Sequence, residues 1–157
     1  MGSVWRRSHS RNDKVTAMEI GELASFTPED LRDLDALMHQ LSGRLAMTED
    51  RLREVVGSGG SHLFVAREEG RIVGCATLCV YEAPSSRKGV IEDVVVHEEC
   101  RGRHVGRMLV GRAMEVASSV SPIEIQLTSK PHREAANALY RSLGFEPVET
   151  NCYRIKL

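Results

Sequence analysis

A short basic loop between a predicted strand and a predicted helix has the residue types to bind a diphosphate. Within seven residues it carries three arginines and two glycines, Arg101, Gly102, Arg103, Gly106 and Arg107. Glycine lets the backbone approach a ligand closely, and a helix N-terminus offers unpaired amides at the positive end of the helix dipole. Amides and guanidinium groups together favour a bound diphosphate. The alternative is a solvated turn with surface arginines.

Other phosphate and metal motifs are missing from the sequence. No Gly-Lys-Ser/Thr follows the loop, and the glycines at 102 and 106 lack the spacing of a dinucleotide fingerprint. The four cysteines and six histidines form no zinc-ligand spacing, so we expect no metal. Reduced, structural cysteines favour a cytoplasmic location.

Two acidic residues, Glu92 and Asp93, lie in the predicted strand that precedes the loop. Neighbouring residues of a strand face opposite sides of the sheet unless a bulge intervenes. A carboxylate here could serve as a general base, or the pair could be ordinary charges at a strand end.

The periodicity of apolar residues predicts the elements that position these groups. Helical spacing predicts helices at about residues 27–43, 48–57, 105–117 and 133–143. Apolar and β-branched runs predict strands at residues 17–23, 62–67, 71–81, 89–96 and 122–127, with a loop at 84–88 and a last hairpin from 145–148 and 153–157. Early hairpins followed by strand-helix-strand crossovers predict an α/β (α+β) fold with a mixed sheet.

Length and composition describe one globular domain. The chain has 157 residues, of which 41% are hydrophobic and 27% charged, and its formal net charge is -1. This charge argues against a general nucleic-acid partner, and no apolar run is long enough to predict a membrane partner. We expect a flexible N-terminal tail at residues 1–16 and one domain at residues 17–157.

Two segments resemble a known family. Arg101-Gly-Arg-His-Val-Gly106 is similar to the acetyl-CoA signature Arg/Gln-x-x-Gly-x-Gly/Ala of the GNAT (Gcn-five-related N-acetyltransferase) family, with His104 in place of the central glycine. Residues 135–145, ending Leu-Tyr-Arg-Ser-Leu-Gly-Phe, resemble the C-terminal helix of the family. The chain is therefore identified as a member of the GNAT superfamily, over about residues 19–157.

The resemblance implies a GNAT fold, with a central mixed, splayed sheet of six to seven strands flanked by about four helices. Acetyl-CoA would enter between the strands at 89–96 and 122–127. The backbone of Val94, Val95 and Val96 would pair with the pantetheine arm. The diphosphate would be held by the loop residues Arg101, Gly102, Arg103, His104, Val105, Gly106 and Arg107.

The resemblance also implies catalytic roles. Tyr140 would protonate the departing thiolate, because a phenol with a pKa near 10 can supply a proton to that group. Glu92 would be the base, acting through water, with Asp93 or a water chain as alternatives. Asn137, or Arg133 in the more usual position, would contact the coenzyme.

The implied function is direct transfer of an acetyl group from acetyl-CoA to a primary amine of a small molecule or peptide. Homodimerisation is implied by the resemblance alone. The alternative is a non-catalytic acetyl-CoA-binding regulatory module. Acidic residues in the first helix mildly favour a cationic acceptor; they are Glu29, Asp30, Asp33 and Asp35.

Overall fold

The computed structural model describes residues 17–157, and the predicted tail at residues 1–16 lies outside the described residues. The elements follow the predicted order as far as the fourth helix, with a 3₁₀ turn at Glu98–Cys100 before the third helix. They are β1 Glu19–Glu22, α1 Pro28–Leu41, α2 Glu49–Gly57, β2 Ser61–Glu68, β3 Arg71–Ala83, β4 Ser86–Val96, α3 Val105–Ser118, β5 Glu124–Gln126 and α4 Glu134–Ser142.

The sheet is mixed, as predicted, and its strands lie in the order β1-β2-β3-β4-β5. Neighbouring strands are antiparallel from β1 to β4, and β4 and β5 are parallel. The α+β class is confirmed, but the strand count of six to seven is wrong for the described residues. Residues 145–157 contain no strand and no turn, so the predicted last hairpin is not formed. Alternating side chains suit a strand, but they do not supply the partner that a strand needs.

The predicted loop at residues 84–88 is shorter in the structure. Strand β4 begins at Ser86, so only Pro84 and Ser85 separate it from β3. Two-residue connections are common between antiparallel strands. The sequence predicted loop instead of strand at Ser86, Arg87 and Lys88, because these residues are polar.

Helix α1 begins at the cap that the sequence supplies. The Thr27 side chain accepts from the Asp30 amide at 3.2 Å, the Asp30 carboxylate accepts from the Thr27 amide at 3.1 Å, and Pro28 occupies the first turn. Asp30 also pairs with Arg67 at 2.7 Å. These contacts fix α1 against the β2–β3 hairpin.

Both faces of the sheet are covered. On one face α3 packs into a core that includes Phe64, Leu78, Ile91 and Leu109. On the other face α1 and α2 pack into a core that includes Leu34, Leu37, Leu52, Val65 and Val95. We call these the α3-side core and the α1-side core.

A β-bulge interrupts β4 just before its end. The pairing with β3 shifts by one residue between Glu92 and Val95, so Asp93 and Val94 together oppose a single β3 residue. Asp93 has a φ of 51°. A regular strand would place Ile91 and Val95, four residues apart, on the same face. Here Ile91 lies in the α3-side core and Val95 in the α1-side core.

Strands β4 and β5 separate after a short contact. They pair over three positions only, Lys88–Val90 with Glu124–Gln126. From Ile91 onward the β5 side of β4 has no strand partner among residues 17–157. The sheet is thus splayed at this point, and the gap opens toward the start of α3.

None of the helices described over residues 17–157 is long and apolar enough to cross a bilayer.

Candidate active site

A cleft with a volume of about 1370 Å³ lies where β4 and β5 diverge. It runs from the C-terminal end of α1, past the end of β4 and the start of α3, to α4. Eleven of the predicted site residues line it, namely Val94, Val95, Val96, Arg101, Gly102, His104, Val105, Gly106, Arg107, Arg133 and Tyr140. The remaining three, Arg103, Asn137 and Glu92, do not.

The N-terminus of α3 points into this cleft without a side-chain cap. The cap residue, His104, has a left-handed backbone (φ 61°, ψ 16°), and its side chain accepts no hydrogen bond from the helix. Gly102 is also left-handed, with a φ of 74°. Within residues 17–157 the amides of Val105, Gly106 and Arg107 have no acceptor. Three amides at the positive end of a helix dipole can bind an anionic oxygen.

Gly106 allows α4 to approach the first turn of α3. A Cβ atom at this position would lie 3.3 Å from the Leu139 Cδ2 atom and 3.8 Å from a Val96 methyl. The absence of a side chain at Gly106 therefore permits the close packing of α3 against α4 beside the cleft.

The three arginines of the loop have different environments. Arg101 lines the cleft, and its guanidinium makes no hydrogen bond or ion pair with the other described residues. Arg107 donates to the Ser142 hydroxyl at 2.8 Å and also lines the cleft. Arg103 instead forms an ion pair with Glu68 on β2, which turns its side chain away. Only the backbone of Arg103 remains available to a ligand in the loop.

The backbone at the end of β4 is directed into the gap. The His97 amide donates to the Val73 carbonyl of β3 at 2.8 Å. Because alternate residues of a strand direct their amides and carbonyls to the same side, Val96 and Val94 direct theirs toward the gap. Val95 pairs with β3 instead.

Gln40 of α1, which was not predicted as a site residue, holds this end of the strand. Its amide nitrogen donates to the Val96 carbonyl at 2.7 Å, and its amide oxygen accepts from the Glu98 amide at 3.2 Å. Gln40 also lines the cleft. A single polar residue in an amphipathic helix carries no signal of such a contact.

Ser129 is a second missed residue. It lies three residues after β5 and lines the cleft. Its buried hydroxyl has no hydrogen-bond partner within residues 17–157, although buried hydroxyls are normally paired. Its position just after a predicted parallel strand could have indicated a binding residue. Ligands bind beyond the C-terminal ends of parallel strands, where the strands diverge.

Tyr140 of α4 lines the same cleft as the α3 N-terminus. Its residue is 7% exposed, and its ring packs edge-on against Phe145 with centroids 6.0 Å apart. The hydroxyl has no hydrogen-bond partner among the described residues. Burial raises the pKa of the phenol, and the nearby charge of Arg133 partly opposes this rise. The phenol therefore holds its proton at neutral pH.

The two residues of α4 predicted as alternative coenzyme contacts lie in different surroundings. The Asn137 side chain donates to the carbonyls of Lys130 and Pro131, at 3.1 and 3.4 Å, and so stabilises the loop before α4. Arg133, at the N-cap of α4, lines the cleft. The cationic residue is thus the one placed at the cleft.

Glu92 lies outside the cleft, on the α1 side of the sheet. It pairs with Thr77, which itself pairs with the buried Leu63 of the α1-side core. Burial is the larger cause that raises the pKa of the Glu92 carboxyl, and the charge of Asp93 adds to it. Tyr140 packs in the α3-side core. The predicted acid and base thus lie on opposite faces of β4.

The acidic residues of α1 are engaged within the protein. Asp30 pairs with Arg67, and Asp33 pairs with Arg71 and accepts from the Ile72 amide at 3.0 Å. Glu29 accepts a hydrogen bond from the Arg32 side chain, and Asp35 accepts one from the Met47 amide. These four residues therefore give no support to a cationic acceptor.

Across residues 17–157 there is no group of three or more His, Cys, Asp or Glu side chains placed to hold a metal ion.

The chain is similar to known acetyltransferases. A family model described as "Acetyltransferase (GNAT) family" matches residues 28–145. Glucosamine 6-phosphate N-acetyltransferase 1 of Oryza sativa subsp. japonica is 29% identical, over 83% of this chain and 85% of the relative.

Solved structures share the fold. An acetyltransferase from Trypanosoma brucei is 25% identical, with a TM-score of 0.73 over 90% of this chain and 100% of the other. Aminoglycoside N-acetyltransferase AAC(6')-Iy, solved in complex with CoA, has a TM-score of 0.75 at 18% identity, over 92% of this chain and 97% of the other. The likeness to this last protein is one of fold alone.

Proposed function

This chain belongs to the GNAT acetyltransferase family, and we propose that it transfers an acetyl group from acetyl-CoA directly to a primary amine of a small molecule. The observation that carries this proposal is that one cleft is lined by the uncapped N-terminus of α3, the unpaired edge of β4 and Tyr140.

The cleft fits the parts of acetyl-CoA in order along its length. The amides of Val105, Gly106 and Arg107, with the Arg101 guanidinium, suit a diphosphate. The gap-facing backbone of Val94 and Val96 suits the amides of a pantetheine arm, which would pair with β4 as a strand does. Gln40 fixes the end of that edge by its bond to the Val96 carbonyl.

The transfer needs one proton to leave the amine and one to reach the thiolate. The amine nitrogen bonds to the acetyl carbon while the carbon–sulfur bond breaks. Tyr140 donates its proton to the departing sulfur, a role that suits a buried phenol with a raised pKa. The Val94 amide, which faces the gap, donates to the acetyl oxygen as negative charge develops there.

Glu92 takes the proton of the amine through water in this proposal. Its carboxyl lies on the α1 side of β4 rather than in the cleft, so a direct contact with the acetyl group is not part of the role. A carboxyl with a raised pKa is a better proton acceptor than an ordinary one.

Amino sugars are the first acceptors to test. The relative from Oryza sativa is named for glucosamine 6-phosphate, and a solved structure that shares the fold is named an aminoglycoside N-acetyltransferase. The acids of α1 are internally paired, so the chain's own residues do not favour a polycation over a singly charged amine.

One observation favours a second candidate function. Glu92 lies outside the cleft, so the chain could bind acetyl-CoA without a base beside it and act as a regulatory module. The two candidates share the binding site and differ only in turnover.

The test is calorimetric titration of the chain with acetyl-CoA, followed by an amine panel with detection of released thiol. We expect micromolar binding and thiol release with one amine class. Binding without turnover on any amine would favour the regulatory module. Absence of binding would contradict both functions while leaving the fold intact.

A further inference from the structure

The side chain of Gln40 pairs with the end of β4 in the way that a neighbouring strand would. Its amide nitrogen donates to the Val96 carbonyl at 2.7 Å, and its amide oxygen accepts from the Glu98 amide at 3.2 Å. A residue of a parallel neighbouring strand bonds to the same two groups, the carbonyl before its partner residue and the amide after it. The Gln40 amide therefore replaces one residue of a parallel strand, opposite His97.

The edge that Gln40 pairs with is the one that faces the gap. His97 is directed to the other side, because its amide donates to the Val73 carbonyl of β3 at 2.8 Å. On the gap side β4 pairs with β5, in parallel and over Lys88–Val90 only. Gln40 thus supplies the same type of pairing at the far end of the same edge.

The pair of backbone groups just before the Gln40 contact is left unpaired. It consists of the Val94 carbonyl and the Val96 amide, which are directed toward the gap and have no partner among residues 17–157. We call this pair the open position, and we call the Val96 carbonyl with the Glu98 amide the filled position. The two positions are two residues apart, about 6.6 Å along a strand.

The spacing of these positions matters for a donor that pairs with β4. In the proposed function, on which this inference rests, that donor has a pantetheine arm with two successive amides, and either amide suits either position. A shift by one position displaces the thioester by about 6.6 Å. A proton donor such as Tyr140 acts within about 3 Å, so only one of the two registers is productive.

Helix α1 holds Gln40 where it blocks the second register. Leu37 and Met38, in the same turn, are buried in the α1-side core. The Gln40 side chain is half-buried, and both ends of its amide are bonded to the backbone after β4 begins to diverge. A primary amide is the neutral side-chain group that offers a donor and a separate acceptor, as this contact requires.

We propose that Gln40 is a positioning residue that sets the register of the pantetheine arm on β4. By occupying the filled position, it prevents the arm from pairing one step further along the strand. An amide of the arm then pairs at the open position, and the thioester is fixed at one distance from Tyr140.

Amide hydrogen exchange, followed by NMR, tests the two positions without turnover. In the unaltered chain we expect the Glu98 amide to be protected with or without CoA, and the Val96 amide to become at least about 10-fold more protected when CoA is added. In Gln40→Leu without CoA, the Glu98 amide should exchange at least about 10-fold faster. Equal exchange of the Glu98 amide in the two chains would overturn the proposal.

Steady-state kinetics test the register itself. We expect Gln40→Leu to lower kcat about 10-fold and to lower KM with it, because an arm bound in the wrong register occupies the cleft without reacting. Gln126→Leu is the same change at an exposed residue of β5 outside the cleft, and it should leave both constants unchanged. A raised KM with an unchanged kcat in Gln40→Leu would show a simple binding contact and would refute the proposal.

A second variant separates the two bonds of Gln40. Gln40→Glu retains an acceptor for the Glu98 amide and loses the donor to the Val96 carbonyl. We expect the Glu98 amide to stay protected while kcat and KM fall as in Gln40→Leu. Unchanged constants in both variants, with normal turnover in the unaltered chain, would contradict this inference alone. Absence of both CoA protection and turnover in the unaltered chain would contradict the proposed function as well.

Discussion

At the scale of single residues, Tyr140 joins two properties that structural tyrosines rarely combine. Its ring is buried against Phe145, yet its hydroxyl has no hydrogen-bond partner among the described residues, and the residue lines the cleft. A buried phenol normally bonds to a protein group. The free hydroxyl is the feature that a proton donor to a bound substrate requires.

We expect Tyr140→Phe to lower kcat by about 100-fold or more and to leave the affinity for acetyl-CoA nearly unchanged. The ring and its packing remain, and only the proton donor is removed. Steady-state thiol release and calorimetry separate the two effects. Tyr81→Phe, at an exposed position of β3, is the matched control. A rate equal to that of the unaltered chain would remove the acid role from Tyr140.

The proposed role of Glu92 as base predicts a fall in activity at low pH, which is the acid limb of the pH–rate profile. A base must be ionised, and burial together with the Asp93 charge raises the pKa of Glu92. Activity should therefore fall as the pH drops through a value above the usual 4.5 of a glutamate. Asp93→Asn removes one of the two causes, so it should move this limb to lower pH. Glu92→Gln should abolish the limb, and a limb that persists in this variant belongs to another group.

At the scale of elements, α3 and α4 pack closely at Gly106, in the first turn of α3 where the unpaired amides lie. We expect Gly106→Glu to weaken acetyl-CoA binding at least about 100-fold, because it brings bulk and negative charge to the helix terminus. Gly111→Glu is the control in the same helix, where an added Cβ meets nothing within 4 Å. Calorimetric titration of both variants compares them directly. Equal affinities would exclude the α3 N-terminus from the binding site.

The order of elements could be predicted from the sequence, because caps and apolar periodicity are local signals. Thr27 and Pro28 started α1 as expected, and the loop at residues 101–106 led to the cleft. The bulge at Asp93 could not be predicted in the same way, since periodicity does not reveal one inserted residue. It determines which valines face which core.

Contacts across long stretches of sequence were also beyond local patterns. Gln40 reaches a strand 56 residues later, and Arg103 is drawn out of the cleft by Glu68, 35 residues before it. Such contacts depend on which elements become neighbours. The loop motif predicted where a diphosphate could bind, but not which arginine side chains would face it.

At the scale of the whole molecule, α1 is joined to the β2–β3 hairpin by two ion pairs whose carboxylates are buried, Asp30 with Arg67 and Asp33 with Arg71. The hydrogen bonds from these arginines lower the pKa of both aspartates. A pKa that is lower in the folded state than in the unfolded state stabilises the fold above the unfolded value. That stability is lost as the pH falls through the folded value.

We therefore expect the free energy of unfolding to decline as the pH falls below about 4, the range of an unfolded aspartate. Urea unfolding between pH 7 and pH 3 measures it. Asp33→Asn should flatten the decline. Asp33→Ala also leaves the buried Ile72 amide without its acceptor, at a cost of about 1–3 kcal/mol. A pH dependence that is the same in Asp33→Asn and in the unaltered chain would assign the decline to other carboxylates.

The three-residue contact between β4 and β5 has a consequence for the lifetime of the protein in a cell. Local opening requires least free energy where few backbone hydrogen bonds hold a unit. Strand β5 should therefore separate from β4 more often than the antiparallel strands β1 to β4 separate from one another. A ligand that pairs with the free edge of β4 suppresses this opening, by about 2.7 kcal/mol at one hundred times its Kd. Proteases degrade the opened population. In the proposed function this ligand is acetyl-CoA, so the abundance of the chain should rise and fall with the supply of acetyl-CoA.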